Sequence, residues 1–110
     1  MKLLTQKIIK ALPPIHSTDD DKPLKDKLVI CKFFTPDANW TWFIFEGEPV
    51  DEADYGTKND FEFFGMVHGL EKEQGYFLLS QIKEIRGKLG LPVERDLSVF
   101  KQPYGDLVKS

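Results

Sequence analysis

Apolar residues crowd both parities from Leu28 to Phe34, stop at Thr35-Pro36-Asp37-Ala38-Asn39, and resume from Trp40 to Phe45. Two strands folded back through a polar turn fit this pattern, because aromatic and β-branched residues favour extended chain. Apolar positions on both parities imply that Leu28 to Phe34 is covered on both faces. Pro36 presets the backbone of a type I turn, Asp37 is placed to hydrogen-bond the backbone two residues on, and Asn39 tolerates a left-handed conformation. The hairpin from Lys32 to Glu46 is expected at the centre of the core.

Residues 5–12 predict a short helix. Thr5 caps it, Leu4 and Ile9 have the spacing of a hydrophobic staple, Ile8, Ile9 and Leu12 form its buried stripe, and Pro13-Pro14 stops it. Residues 15–27 are polar and read as a solvated connection; Asp19-Asp20-Asp21 lacks the spaced ligands, glycine and distal glutamate of a calcium loop. Residues 46–60, with Gly47, Pro49 and Gly56, read as a long acidic loop. Phe61 to Gly69 returns as a strand with Phe61, Phe63 and Val67 on one parity and Phe64 and Met66 on the other. Gly65 within it marks a bulge or a close backbone approach.

Glu71 to Gly75 reads as the next turn and Tyr76 to Leu79 as a short strand. Ser80 is placed to cap a second helix running through Ile82 and Ile85 toward Leu89, ended by Gly90 and Pro92. Val93 to Phe100 predicts a last strand, and residues 103–110 a docked helix or a frayed tail. The expected fold is α+β, one domain over residues 1–110, with an antiparallel sheet of four or five strands and two short helices.

Composition narrows the function classes. A chain of 110 residues with 41% hydrophobic content is long enough for one core. The net charge of −3 gives no general support for nucleic-acid binding. It is uneven: seven acids lie between Glu46 and Glu62 against the single cation Lys58, leaving the rest net basic. Cys31 is the only cysteine, which excludes an internal disulfide and a cysteine zinc cluster. Lys7 and Lys10 interrupt the N-terminal apolar residues, so they do not read as a signal peptide, and no run approaches the roughly 18 apolar residues of a membrane span. A cytoplasmic setting is expected.

Four features are candidates for function. Arg95 falls on the parity of Val93, Leu97 and Val99, and an arginine among apolar neighbours needs a partner; Glu71 or Glu73 would suit its fork, or it recognises an external anion or partner. Trp40 and Trp42 share a parity, as core and rim of the sheet or as a platform for single-stranded bases or a peptide. Asp37, Glu71, Glu73, Glu94 and Asp96 would form a magnesium site for phosphodiester cleavage if they converged at one end of the sheet. Glu48, Asp51, Glu52 and Asp54 form an acidic face suited to a basic site on another protein, if the segment is more than a solvated loop. His16 and His68 lack ligand spacing, Cys31 reads as a core residue, and no glycine-rich phosphate loop is present. No cofactor or metal is expected.

The segments KFFTPDANWTWF, FFGMVHGLEKEQGYFLLSQI and RGKLGLPVERDL, in this order, resemble a family of small proteins of bacterial plasmids, integrative conjugative elements and phages, catalogued as a domain of unknown function. The resemblance spans residues 1–103. It implies a mobile-element setting and supplies no catalytic residue or substrate. The expected function is a non-catalytic accessory protein that binds a host or element-encoded protein, in the setting of nucleic-acid transactions or host defence. The alternatives are a metal-dependent nucleic-acid-processing enzyme and a single-strand binder using Trp40 and Trp42.

Overall fold

A computed structural model describes residues 2–18, 22–50 and 60–108. Helix α1 is Gln6–Ala11, with the Thr5 hydroxyl accepting the Ile8 N–H as its cap and the chain leaving helical geometry at Leu12, before the two prolines. The predicted strand over 28–34 is broken at Ile30 into β1, Leu28–Val29, and β2, Cys31–Phe34. Strand β3 is Thr41–Pro49, β4 is Phe61–His68 and β5 is Lys72–Leu78. Helix α2, Leu79–Glu84, leads to β6, Glu94–Arg95, and the chain closes with β7, Gln102–Pro103, and helix α3, Tyr104–Leu107. The fold is α+β. One antiparallel sheet has the order β5-β4-β3-β2-β6, and β1 pairs with β7 in a two-stranded ladder. No helix among the described residues is long and apolar enough to cross a membrane.

The sheet is covered on both faces, which is why its central strands are apolar on both parities. One face buries Phe33, Trp42, Ile44, Phe61 and Phe63 beneath Leu4, Ile8 and Leu12 of the α1 region and Ile82 of α2. The other buries Val29, Phe43, Phe45 and Met66 beneath Val99 and Tyr104. Phe33 and Phe63 meet edge-to-face at 5.6 Å and are fully buried, so losing either ring costs about 3–5 kcal/mol. Cys31 is buried among them; burial pushes its thiol up to about 12 despite the charge of Arg95, and it is unreactive core.

The acidic loop expected over 46–60 is corrected at its start. Strand β3 runs on through Glu46, Gly47, Glu48 and Pro49, paired with Phe64, Phe63, Glu62 and Phe61. The register shifts between Ile44 and Glu46, a bulge at Phe45 that turns the following even positions onto the other face. Glu46 is thereby buried, and its carboxylate accepts the His16 N–H at 2.7 Å, the Thr18 N–H at 3.0 Å and the Thr18 hydroxyl. Glu48 accepts the Ile15 N–H at 2.8 Å. These charge-assisted bonds offset the desolvation of the carboxylates and fasten the 15–18 turn to the sheet. Opposite the bulge, a Cβ on Gly65 would lie 2.0 Å from the Phe43 carbonyl oxygen, so the close approach anticipated there admits only glycine.

Three boundaries differ from expectation. Strand β5 starts at Lys72, because the turn is the tight Gly69-Leu70-Glu71 and the polar residues 72–74 form an exposed edge. The cap of α2 is not Ser80: Asp60 accepts the Ser80 N–H at 3.1 Å, its hydroxyl at 2.6 Å and the Phe61 N–H at 2.8 Å, and Gln81 Oε1 accepts the Leu78 N–H. The strand expected over 93–100 stops at Arg95, because Asp96 accepts the Ser98 N–H and hydroxyl and turns the chain. The described residues form three α-helices, the two expected and, of the two readings of residues 103–110, the docked helix, which sets Tyr104 against Phe43 and Phe45.

Candidate functional site

The β2–β3 and β4–β5 turns lie at the same end of the sheet, as adjacent antiparallel hairpins require. Thr35 closes the first turn: its N–H and hydroxyl reach the Trp40 carbonyl, and its Oγ1 accepts the Trp40 N–H at 3.1 Å. This holds Trp40 just outside the strand, with its indole laid over Gly69 so closely that a Cβ there would fall 2.4 Å from the ring. Trp42 stacks beneath it, ring centroids 6.3 Å apart and planes 29° from parallel. Trp42 is 3% exposed and Trp40 is 41% exposed, so the pair is one core residue and one rim residue.

Trp40 stands as a ridge between two depressions. On one side about 400 Å³ is floored by Trp42, Val67 and Phe77 and walled by Ala38, Ile85 and Arg86. On the other about 340 Å³ is bounded by Trp40, Val67, Leu70, Glu71 and Glu73. Leu70, at the tip of the second turn, is 94% exposed. The turn residue Asp37 does not bond two residues on as expected. Its Oδ2 instead accepts the Leu89 N–H at 2.6 Å and the Leu91 N–H, tying the 87–91 loop to the hairpin. Its Oδ1 is buried with no hydrogen-bond partner. Leu89, on that loop, is 79% exposed. This end of the sheet is thus apolar and open, with Arg86 on one side and two carboxylates on the other.

The sequence candidates divide into two groups. Asp37, Trp40, Trp42, Glu71 and Glu73 come together at the hairpin end. Glu94, Arg95 and Asp96 sit on and beside β6, the opposite edge. Arg95, Phe33, Trp42, Val67 and Glu73 form one cross-strand row, so Arg95 and Glu73 share a face yet stand four strands apart, ~19 Å at the usual strand spacing. The expected ion pair of Arg95 with Glu71 or Glu73 is therefore not formed. Arg95 Nη1 donates to the Lys2 and Leu3 carbonyls at 2.6 and 3.0 Å, anchoring the N-terminal segment. Asp96 pairs with Lys32 at 3.5 Å, and the Ser98 hydroxyl holds its carboxyl below the usual aspartate range.

That same separation removes the proposed convergence of Glu71 and Glu73 with Glu94 and Asp96. No group of three or more histidine, cysteine, aspartate or glutamate side chains among the described residues has metal-binding geometry. Of the acidic face, Glu48 is occupied within β3, and Asp51, Glu52 and Asp54 lie outside the described residues. Leu70 and Arg86 were missed by the sequence reading. A leucine between glycine and glutamate at a turn tip was the available signal for Leu70; Arg86 carried none.

Fold and site together define a small α+β protein with an exposed aromatic and aliphatic end. The chain matches, over residues 3–104, the model of a family described as a protein of unknown function, DUF2958, and it belongs to that family. No curated protein and no solved structure matches it.

Proposed function

We propose that this chain is a non-catalytic accessory protein of a mobile genetic element that acts in the cytoplasm by binding another protein through its hairpin end. The observation that supports this reading is the exposure of Trp40 and Leu70 around two depressions, on a scaffold that ties the surrounding turns down through Thr35 and Asp37. Exposed aromatic and aliphatic anchors beside shallow clefts are what protein recognition uses, whereas a small-molecule site encloses its ligand. The mobile-element setting rests on the resemblance of the sequence segments alone.

Affinity capture from a bacterial cytosol tests the reading. A specific protein is expected with the wild-type chain, lost with Trp40→Ala combined with Leu70→Ser, and retained with Leu97→Ser, which alters an exposed leucine elsewhere. Recovery of nucleic acid alone, or of a protein indifferent to both Trp40 and Leu70, would sink it.

A further inference from the structure

We propose that the open edge of β5 takes up an extended segment of the partner as an added strand, one carrying lysine or arginine two positions from a bulky apolar residue. This deepens the protein-binding reading of the hairpin end and rests on it. Strand β5 ends the sheet and pairs only with β4 among the described residues. In an antiparallel ladder, successive residues alternately bond the strand on one side and point away from it. The Gly69 N–H reaches the Glu71 carbonyl at 3.0 Å across the turn, and the Leu78 N–H is turned to Gln81 Oε1 at 3.1 Å. These two bonds set the phase. Glu73, Gly75 and Phe77 bond β4, while Lys72, Gln74 and Tyr76 direct their N–H and C=O groups outward. All three outward residues are exposed.

Side-chain chemistry at this edge selects the occupant. Cross-strand neighbours share a face, so a residue added opposite Glu73 lies on the side of Glu73, Val67 and Trp42. There it meets the carboxylates of Glu71 and Glu73, both exposed and neither with a partner among the described residues. Two positions along toward Glu71, its neighbour on the same face lies beside the apolar side of the depression, formed by Trp40, Val67 and Leu70, whose other side is the same two carboxylates. A cation and an apolar side chain at that spacing satisfy both features. A second copy of this chain does not, because the same face of its own β5 offers Glu73, Gly75 and Phe77 and no cation, and at its other edge, β6, Arg95 is held by the Lys2 and Leu3 carbonyls and Val93 is buried.

The test pans the full chain against displayed linear peptides built around an apolar–any–Lys/Arg core, beside a matched library with glutamate in place of the cation. Amide hydrogen exchange is then read residue by residue. Enrichment is expected from the basic library only, with the Lys72, Gln74 and Tyr76 amides exchanging freely in the free chain and protected in the complex. Gln74→Pro, which removes an outward N–H and leaves the β4 ladder intact, weakens the selected peptide by roughly tenfold or more. Glu71→Gln with Glu73→Gln weakens it by roughly three- to tenfold and flattens its salt dependence. Trp40-dependent peptides that leave the three amides exchanging overturn strand addition while the protein-binding reading stands. Equal enrichment from the glutamate library overturns the charge assignment. No enrichment, or protection of the three amides through self-association of the free chain, overturns the proposal as a whole.

Discussion

The two ends of the sheet use carboxylates in opposite ways. At the bulge end, Glu46 and Asp60 are 2% and 4% exposed, and each accepts three hydrogen bonds that fasten a neighbouring segment to the sheet. At the hairpin end, Glu71 and Glu73 are exposed beside Leu70 and Trp40, and no bond to either carboxylate is formed among the described residues. A buried carboxylate loses its hydration and must be compensated by donors, so its chemistry is directed inward. An exposed one beside an apolar depression keeps its hydration and its charge at the surface. Acidity along a chain therefore says little until burial is known.

The largest effect that breaks this contrast is expected from Glu46→Ala. It leaves the His16 and Thr18 N–H groups without their acceptor, and unfolding in urea should show a loss of about 2–4 kcal/mol. Glu71→Ala and Glu73→Ala should each stay within about 0.5 kcal/mol of wild type in the same measurement. Equal losses at the two ends would remove the distinction.

Acid titration sharpens it in two stages. Burial, with Lys72 and Lys32 nearby, holds His68 below its usual pKa of 6.5 in the fold. The unfolded chain then binds the proton more tightly, so this contribution is complete above about pH 6.5 and is lost as pH falls toward the folded value. For Asp60, burial raises the pKa, but bonds from Ser80 and Phe61 outweigh it and leave the group below 3.8; Asp96 is held below 3.8 chiefly by the Ser98 hydroxyl. Their contributions are complete above about pH 4 and drain below it. Denaturation across pH should show the upper stage abolished by His68→Gln and the lower one reduced by Asp60→Asn. Trp40→Ala should fall between the two carboxylate classes, at about 1–3 kcal/mol, because its ring is more than half buried against Trp42 and Gly69, and binding should be lost with it.

How much of this was legible follows from the range of each interaction. Helix α1 was readable because its cap, staple and proline stop lie within a few residues of one another. The core strands were readable because apolar density on both parities fits a sheet covered on both faces and little else. The bulge at Phe45 was not, because one inserted residue swaps the face on which each parity lies, and nothing local to Glu46 announces that its donors come from residues 16 and 18. Ser80 misled for the same reason: its partner, Asp60, is twenty residues away along the chain.

For the site, sequence chemistry singled out Asp37, Trp40, Trp42, Glu71 and Glu73, and also Glu94, Arg95 and Asp96, as residues with something to do. It could not sort them. Strand order placed the last three at the far edge, where Arg95 holds the N-terminal backbone, and gathered the first five around one pair of turns. Residue type and local spacing thus determined the helix start, the central hairpin and the aromatic core of this protein. Which carboxylates are consumed by the fold and which remain at its surface was decided by pairings across tens of residues, because desolvation and strand order belong to the assembled sheet and to no single segment of it.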